Sequence, residues 1–188
     1  MCYSIMVETA LNKLAQEFSA SIDYHSFEEV YTSRNQGRSQ LKIPPGMDRN
    51  FLDENSQEAT TIHHLISTYQ TNERQHLQQK IAAKQLLVRT LQEALKNKPG
   101  KMRQEKLDTA QRMLNKFSHD LTLLDGESNR NASRIFMYSY APGVICDDKG
   151  QHRIVPLRYQ LRPAGSLKEI PSHINCFNAR VDKLEDRQ

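Results

Sequence analysis

Cysteine is scarce in this chain. Cys2, Cys146 and Cys176 are the only three in 188 residues, too few and too scattered for a disulfide scaffold, and no two have metal-ligand spacing. That count fits a reducing compartment, and a cytoplasmic protein is the expectation. Long apolar runs are missing too. No stretch approaches the roughly 20 consecutive apolar residues that span a bilayer, and Glu8 stands where a secretory leader would carry basic residues before an apolar run, so no membrane partner is expected. The seven glycines never fall in the spaced pattern of a phosphate-cradling loop. His63 and His64 are adjacent, cannot share one helical face, and the other histidines lie far apart, so no metal and no other cofactor is expected. Charge of one sign is not in large excess either. A net charge of +4 and a pI near 9.0 permit an anionic partner, but they are equally an ordinary solubility charge.

What is present divides into three textures within an expected single domain over residues 1–188. The first 34 or so residues alternate short apolar and polar clusters. YSIMV reads as a strand, and ETALNKLAQEF as a short helix with Leu11, Leu14 and Phe18 recurring at three and four residues. RNQGRSQLKIPPGMDRN, with Gly37 and the Pro44-Pro45-Gly46 punctuation, reads as a loop with a brief extended piece at Leu41 to Ile43. Residues 57–125 change character. Leu77, Ile81, Val88, Leu91 and Leu95, then Leu107, Ala110, Leu114, Phe117, Leu121 and Leu124, mark two amphipathic helices. NKPGK between them supplies a stop and a tight connection, which predicts an inserted antiparallel helical hairpin. In the last third, IFMYSY is aromatic and β-branched, and ICDDKGQHRIVPLRY reads as two strands around a turn carrying Asp147, Asp148 and Gly150.

The opening MCYSIM raises a chemical question. A methionyl aminopeptidase removes Met ahead of a residue as small as cysteine, which would leave Cys2 with a free α-amine and a thiol on adjacent carbons. With ordinary pKa values of about 8 and about 8.5, both are partly nucleophilic near neutrality. An aldehyde would condense with the amine to a Schiff base, and the tethered thiol would close a thiazolidine ring. The ring-opened abasic site of DNA is a biological aldehyde suited to a basic protein. The plainer reading of Cys2 is a small hydrophobe at the start of a buried strand.

Met-Cys at the N-terminus, YAPGV at Tyr140 to Val144, IVPLRYQL at Ile154 to Leu161 and FNAR at Phe177 to Arg180 together resemble the SOS response-associated peptidase family, whose members crosslink themselves to abasic sites in single-stranded DNA. Tyr159 stands where that family usually has tryptophan. The resemblance covers the first few residues and then about 135 to 182. It implies an α+β fold with a mixed or antiparallel, barrel-like β core, into which the hairpin is inserted. It also implies Cys2 as the capturing nucleophile, Asn178 as the amide that orients it, and Arg180 as a phosphate grip. Arg34, Arg38 and Arg158 are the further cations assigned to flanking phosphates, although Arg34, Arg38, Lys42 and Arg49 also read as a solvated basic loop.

Two departures stand beside it. Asp182 occupies a position where the family usually has glutamate, and the family's catalytic glutamate and histidine lie well beyond a point that here is eight residues from the last, Gln188. The expectation is therefore a portion of a larger protein, or a chain whose missing half a partner supplies, with lyase- or peptidase-like chemistry conditional on that supply. The reading from a different class is a non-catalytic interaction or self-association protein acting through the hairpin. A sequence-specific DNA regulator fits less well, because the helices lack a compact helix-turn-helix pairing.

Overall fold

A computed structural model describes residues 4–6, 10–37, 42–124 and 134–160. The chain divides into two compact units, Met1–Leu65 with Asn131–Gln188, and Ile66–Arg130.

The first unit is α+β. Strand β1 (Ser4–Met6) is followed by helix α1 (Leu11–Phe18), which buries Leu11 and stops at Ser19, a left-handed residue with φ 47°. A two-residue strand β2 (Ser21–Ile22) leads to α2 (Tyr24–Asn35). Asp23 caps α2 through a carboxylate oxygen that accepts the Ser26 N–H at 3.1 Å. The sequence reading did not find α2, although Phe27, Tyr31 and Arg34 recur at helical spacing and are all buried. Helix α3 (Pro45–Leu52) replaces the loop expected at Pro-Pro-Gly. Pro45 takes the first helical position, where its missing N–H costs nothing and its fixed φ suits the helix.

Aromatic rings knit these helices together. Phe27 and Tyr31 of α2 both meet Phe51 of α3 edge to face, with centroids 5.0 and 5.6 Å apart. Phe27, Tyr31, Met47 and Phe51 are fully excluded from solvent.

Strands β3 (Arg134–Phe136), β4 (Tyr140–Cys146) and β5 (His152–Arg158) complete the described part of the unit. β4 and β5 form the expected hairpin, with Pro142 opposite Pro156 and Val144 opposite Ile154. Asp147 builds its turn: one carboxylate oxygen accepts the N–H groups of Lys149 and Gln151, both at 2.9 Å, and Gly150 supplies φ 77°. Those bonds hold the Asp147 carboxyl below its usual range, that from Gln151 foremost.

Among the described residues the expected barrel-like core does not form. The described strands make an open three-stranded sheet of order β2-β5-β4, with β2 parallel and β4 antiparallel to β5, and a separate two-stranded ladder β1-β3. Closing a barrel takes enough strands, with consistent tilt and stagger, to leave no edge. Here β2 contributes only two residues, and most of the chain between it and the β4–β5 hairpin is helical.

In the second unit, α4 (Thr60–Asn97), which starts within the first, runs to the Pro99-Gly100 turn, and α5 (Lys101–Leu124) returns. Arg103 donates to the Lys98 carbonyl at 2.8 Å, tying the turn to the end of α4. Protected positions recur in alternating steps of four and three: Leu77, Ile81, Lys84, Val88, Leu91 and Leu95 on α4, and Arg103, Leu107, Ala110, Leu114, Phe117, Leu121 and Leu124 on α5. A 3.5-residue repeat is the pattern of a left-handed coiled-coil seam. Lys80 lies across it, its ammonium 5.4 Å from the Phe117 ring. No helix among the described residues is long and apolar enough to cross a membrane.

Candidate functional site

The two described family-like segments become neighbours in the sheet. YAPGV is the body of β4 and IVPLR that of β5, and Tyr140 pairs directly with Arg158. Gly143 lies where a Cβ would come within 2.3 Å of the Leu157 Cδ1, so the glycine lets the leucine lean across the neighbouring strand.

Between β3 and β4 the chain turns at Tyr138, whose φ of 67° is unusual for a bulky L-residue. The Ser139 N–H closes the turn on the Phe136 carbonyl at 2.9 Å, and three further backbone hydrogen bonds fix the corner. Tyr138 N–H donates to the Tyr159 carbonyl at 3.1 Å, Tyr159 N–H to the Ser139 carbonyl at 2.8 Å, and Tyr140 N–H to the Lys42 carbonyl at 2.9 Å. The last belongs to an isolated parallel bridge between Lys42 and Ser139, the described remnant of the extended piece expected there. The Arg158 guanidinium lies over the Tyr138 ring, 5.5 Å from its centroid. The N-terminal strand is tied into the same region, because Ser4 of β1 pairs with Phe136, the last residue of β3. The site therefore joins a half-buried cation, an aromatic ring and the strand that begins two residues after Cys2.

The expected site residues fare differently. Cys2, Arg38, Asn178 and Arg180 lie outside the described residues, and Arg158 sits at the corner just described. Arg34 corrects the basic-loop reading. It lies in α2, is 8% exposed, and donates twice to the Asp48 carboxylate, at 3.1 and 3.0 Å, with its guanidinium 4.7 Å from the Tyr31 ring. A guanidinium committed to a buried carboxylate is a packing element, not a phosphate grip. Arg49, placed in the same loop by sequence, is in α3.

Burial shapes the titration of this pocket. It pushes the Tyr31 hydroxyl well above 10, the nearby Asp48 carboxylate adding to the effect, and it raises the Asp48 carboxyl against the lowering influence of Arg34. A second polar cluster joins Tyr24, Glu54 and Ser56. Tyr24 donates to the 8%-exposed Glu54, Ser56 donates to the same oxygen at 3.0 Å, and the Ser56 hydroxyl accepts the Ala59 N–H at 3.2 Å. Burial and the Glu54 bond raise the Tyr24 hydroxyl. Among the described residues no group of three or more His, Cys, Asp or Glu side chains could hold a metal ion. His63 donates from Nε2 to the Phe51 carbonyl, a structural tether between α4 and α3. Of the cysteines only Cys146 is described, exposed at the end of β4.

Tyr138 was missed by sequence reasoning. MYSYAPG shows an aromatic ahead of the motif, but nothing in it announces a left-handed backbone.

No family model, no curated protein and no solved structure matches the chain. Membership of the SOS response-associated peptidase family, and the repair, hydrolase and lyase vocabulary that goes with it, thus finds no support in these comparisons, and the open β2-β5-β4 sheet departs from the barrel-like core that the resemblance implied.

Proposed function

We propose that this chain binds single-stranded DNA and captures abasic sites through Cys2 once Met1 has left. One observation carries the reading: the strand that follows Cys2 pairs with β3, which leads directly into the two motif strands β4 and β5. Ser4, the first residue of that strand, pairs with Phe136 at the β3 end that turns at Tyr138.

The chemistry follows from the functional groups. The α-amine of Cys2 adds to the C1′ aldehyde of the opened sugar and water departs, giving a Schiff base. The thiolate then adds to the imine carbon and the nitrogen takes up a proton, closing a thiazolidine. Arg158 and Arg180 supply charge for flanking phosphates, and Asn178 orients the nucleophile through its amide.

Intact-protein mass spectrometry after incubation with an abasic single-stranded oligonucleotide tests this. A species with the summed mass of the two partners less one water, absent for Cys2→Ala and for an oligonucleotide without the lesion, is the expected result. The absence of any covalent species that depends on Cys2 rejects the proposal.

A second reading has its own observation. Leu86, Leu87, Met102 and Met113 of the helical hairpin are 68, 40, 73 and 43% exposed, which supports an interaction or self-association role for that surface. Sedimentation over a wide concentration range addresses it, and a monomer throughout would remove self-association.

A further inference from the structure

The seam of the helical hairpin has two flanks of unlike chemistry. In the seven-residue repeat set by its protected positions, one flank consists of Gln78, Gln85 and Gln92 on α4 and Gln104, Gln111 and Ser118 on α5, all of them exposed. The other consists of Lys80, Leu87 and Ala94 on α4 and Lys106, Met113 and Asp120 on α5. Leu87 is 40% and Met113 43% exposed. Counted from the Pro99-Gly100 turn, the two stand at nearly the same level of the hairpin, on the same side of its seam. A hairpin that works alone gains nothing from holding a leucine and a methionine in water at matched positions while its opposite flank is amide and hydroxyl throughout.

We propose that this flank is an interface with a second copy of the chain, packed antiparallel across a two-fold axis that passes by Leu87 and Met113. The inference rests on the self-association reading above and gives it a face and an arrangement. The charges identify the occupant. One repeat before Met113 stands Lys106, and one repeat after it stands Asp120. A two-fold axis at Met113 exchanges those positions, so Lys106 of each copy meets Asp120 of the other, twice in the dimer. Within one chain they are two repeats apart, about 21 Å along a single helix, and cannot meet. Asp120 already holds Lys116 at 2.7 Å, and the two oxygens of a carboxylate can accept from both ammonium groups. On α4 the same axis sets Lys80 against Ala94 of the other copy, a small residue that leaves room for the lysine stem, and no two positions of like charge on this flank are opposed.

The experiment follows the monomer–dimer equilibrium of the full chain by analytical ultracentrifugation, with helical circular dichroism as the check on folding. Leu87→Gln, which removes two leucines from the axis at once, should weaken the dimer about a hundredfold. Leu86→Gln is the control: Leu86 is 68% exposed but lies on the side of α4 away from the seam, and its loss should leave the equilibrium unchanged. Lys106→Asp alone and Asp120→Lys alone each oppose like charges twice and should weaken the dimer about tenfold, whereas the two substitutions together should restore it. That restoration is a readout that loss of folding cannot imitate. If Leu87→Gln leaves the equilibrium unmoved, or Leu86→Gln disturbs it as much, this face is overturned while self-association stands. If the double charge exchange is no better than the single ones, the antiparallel two-fold arrangement is overturned. If the unaltered chain is a monomer at every concentration, the self-association reading fails and takes this interface with it.

Discussion

Arg34 and Asp48 in the first unit, and Lys116 and Asp120 in the second, meet at 3.0 and 2.7 Å, yet the first pair's side chains are 5 and 12% exposed and the second pair's 63 and 34%. Distance alone would rank them alike. The surroundings separate them. Around Arg34 the charge has replaced part of an apolar core, against the ring of Tyr31, and the buried Asp48 carboxylate helps to compensate it for lost water. On α5 the pair is one solvated turn of a helix whose hold comes from the seam behind it. The first unit thus concentrates its stability in a few contacts between distant segments, whereas the hairpin spreads it along a repeat.

Removing one partner of each pair should break the likeness most visibly. Asp48→Ala strands a buried guanidinium and is expected to destabilise the first unit by about 3–5 kcal/mol, read by urea denaturation. Arg34→Met combined with Asp48→Leu should restore most of the loss, since an apolar pair of similar volume leaves no charge uncompensated. In the hairpin, Leu77→Ala, at a site 4% exposed, should cost about 2–3 kcal/mol, seen as earlier loss of helical circular dichroism.

Alkaline titration sharpens the contrast further. Because burial raises the Tyr31 hydroxyl in the folded chain, the unfolded chain releases that proton first as pH climbs past about 10. The stabilisation is complete below that pH and is lost as pH rises towards the folded value, at no more than about 1.4 kcal/mol per pH unit. Denaturation midpoints measured between pH 9 and 11 should fall, and Tyr31→Phe should flatten that fall. Lys116→Ala closes the series, with an expected change below about 0.5 kcal/mol and a midpoint scarcely moved.

The same contrast governs what the amino-acid order discloses. Leu77, Ile81, Val88, Leu91 and Leu95 announce α4, and Leu107 to Leu124 announce α5, because a seam is a local period that any window of the chain displays. The polar members Lys84 and Arg103 escape that pattern, since long side chains can cover a seam with their stems while their heads reach water. The β4–β5 hairpin is equally local, its turn written in Asp147 and Gly150. α2 and α3 are not local facts. Arg34 breaks the apolar stripe of α2, and only Asp48, 14 positions on, explains why an arginine belongs inside. Pro44-Pro45 reads as a loop until Pro45 is seen opening a helix whose Met47 and Phe51 are fully buried. At the candidate site the motif strands and Arg158 were legible, whereas the backbone conformation of Tyr138 depends on pairing with Tyr159, which no short window contains.

The parallel pairing of Ser21 and Ile22 with Arg153 and Ile154 has a consequence in time. His152 shares a hydrogen bond with the Phe18 carbonyl across 134 positions of sequence, and the whole helical hairpin is made between them. At about 5–20 residues per second of synthesis, the short strand β2 waits on the order of 10 s for its partner to emerge. The hairpin, whose contacts are close in sequence, can form during that interval. Its length therefore sets a delay as well as a shape, and shortening it should let the sheet close earlier during synthesis.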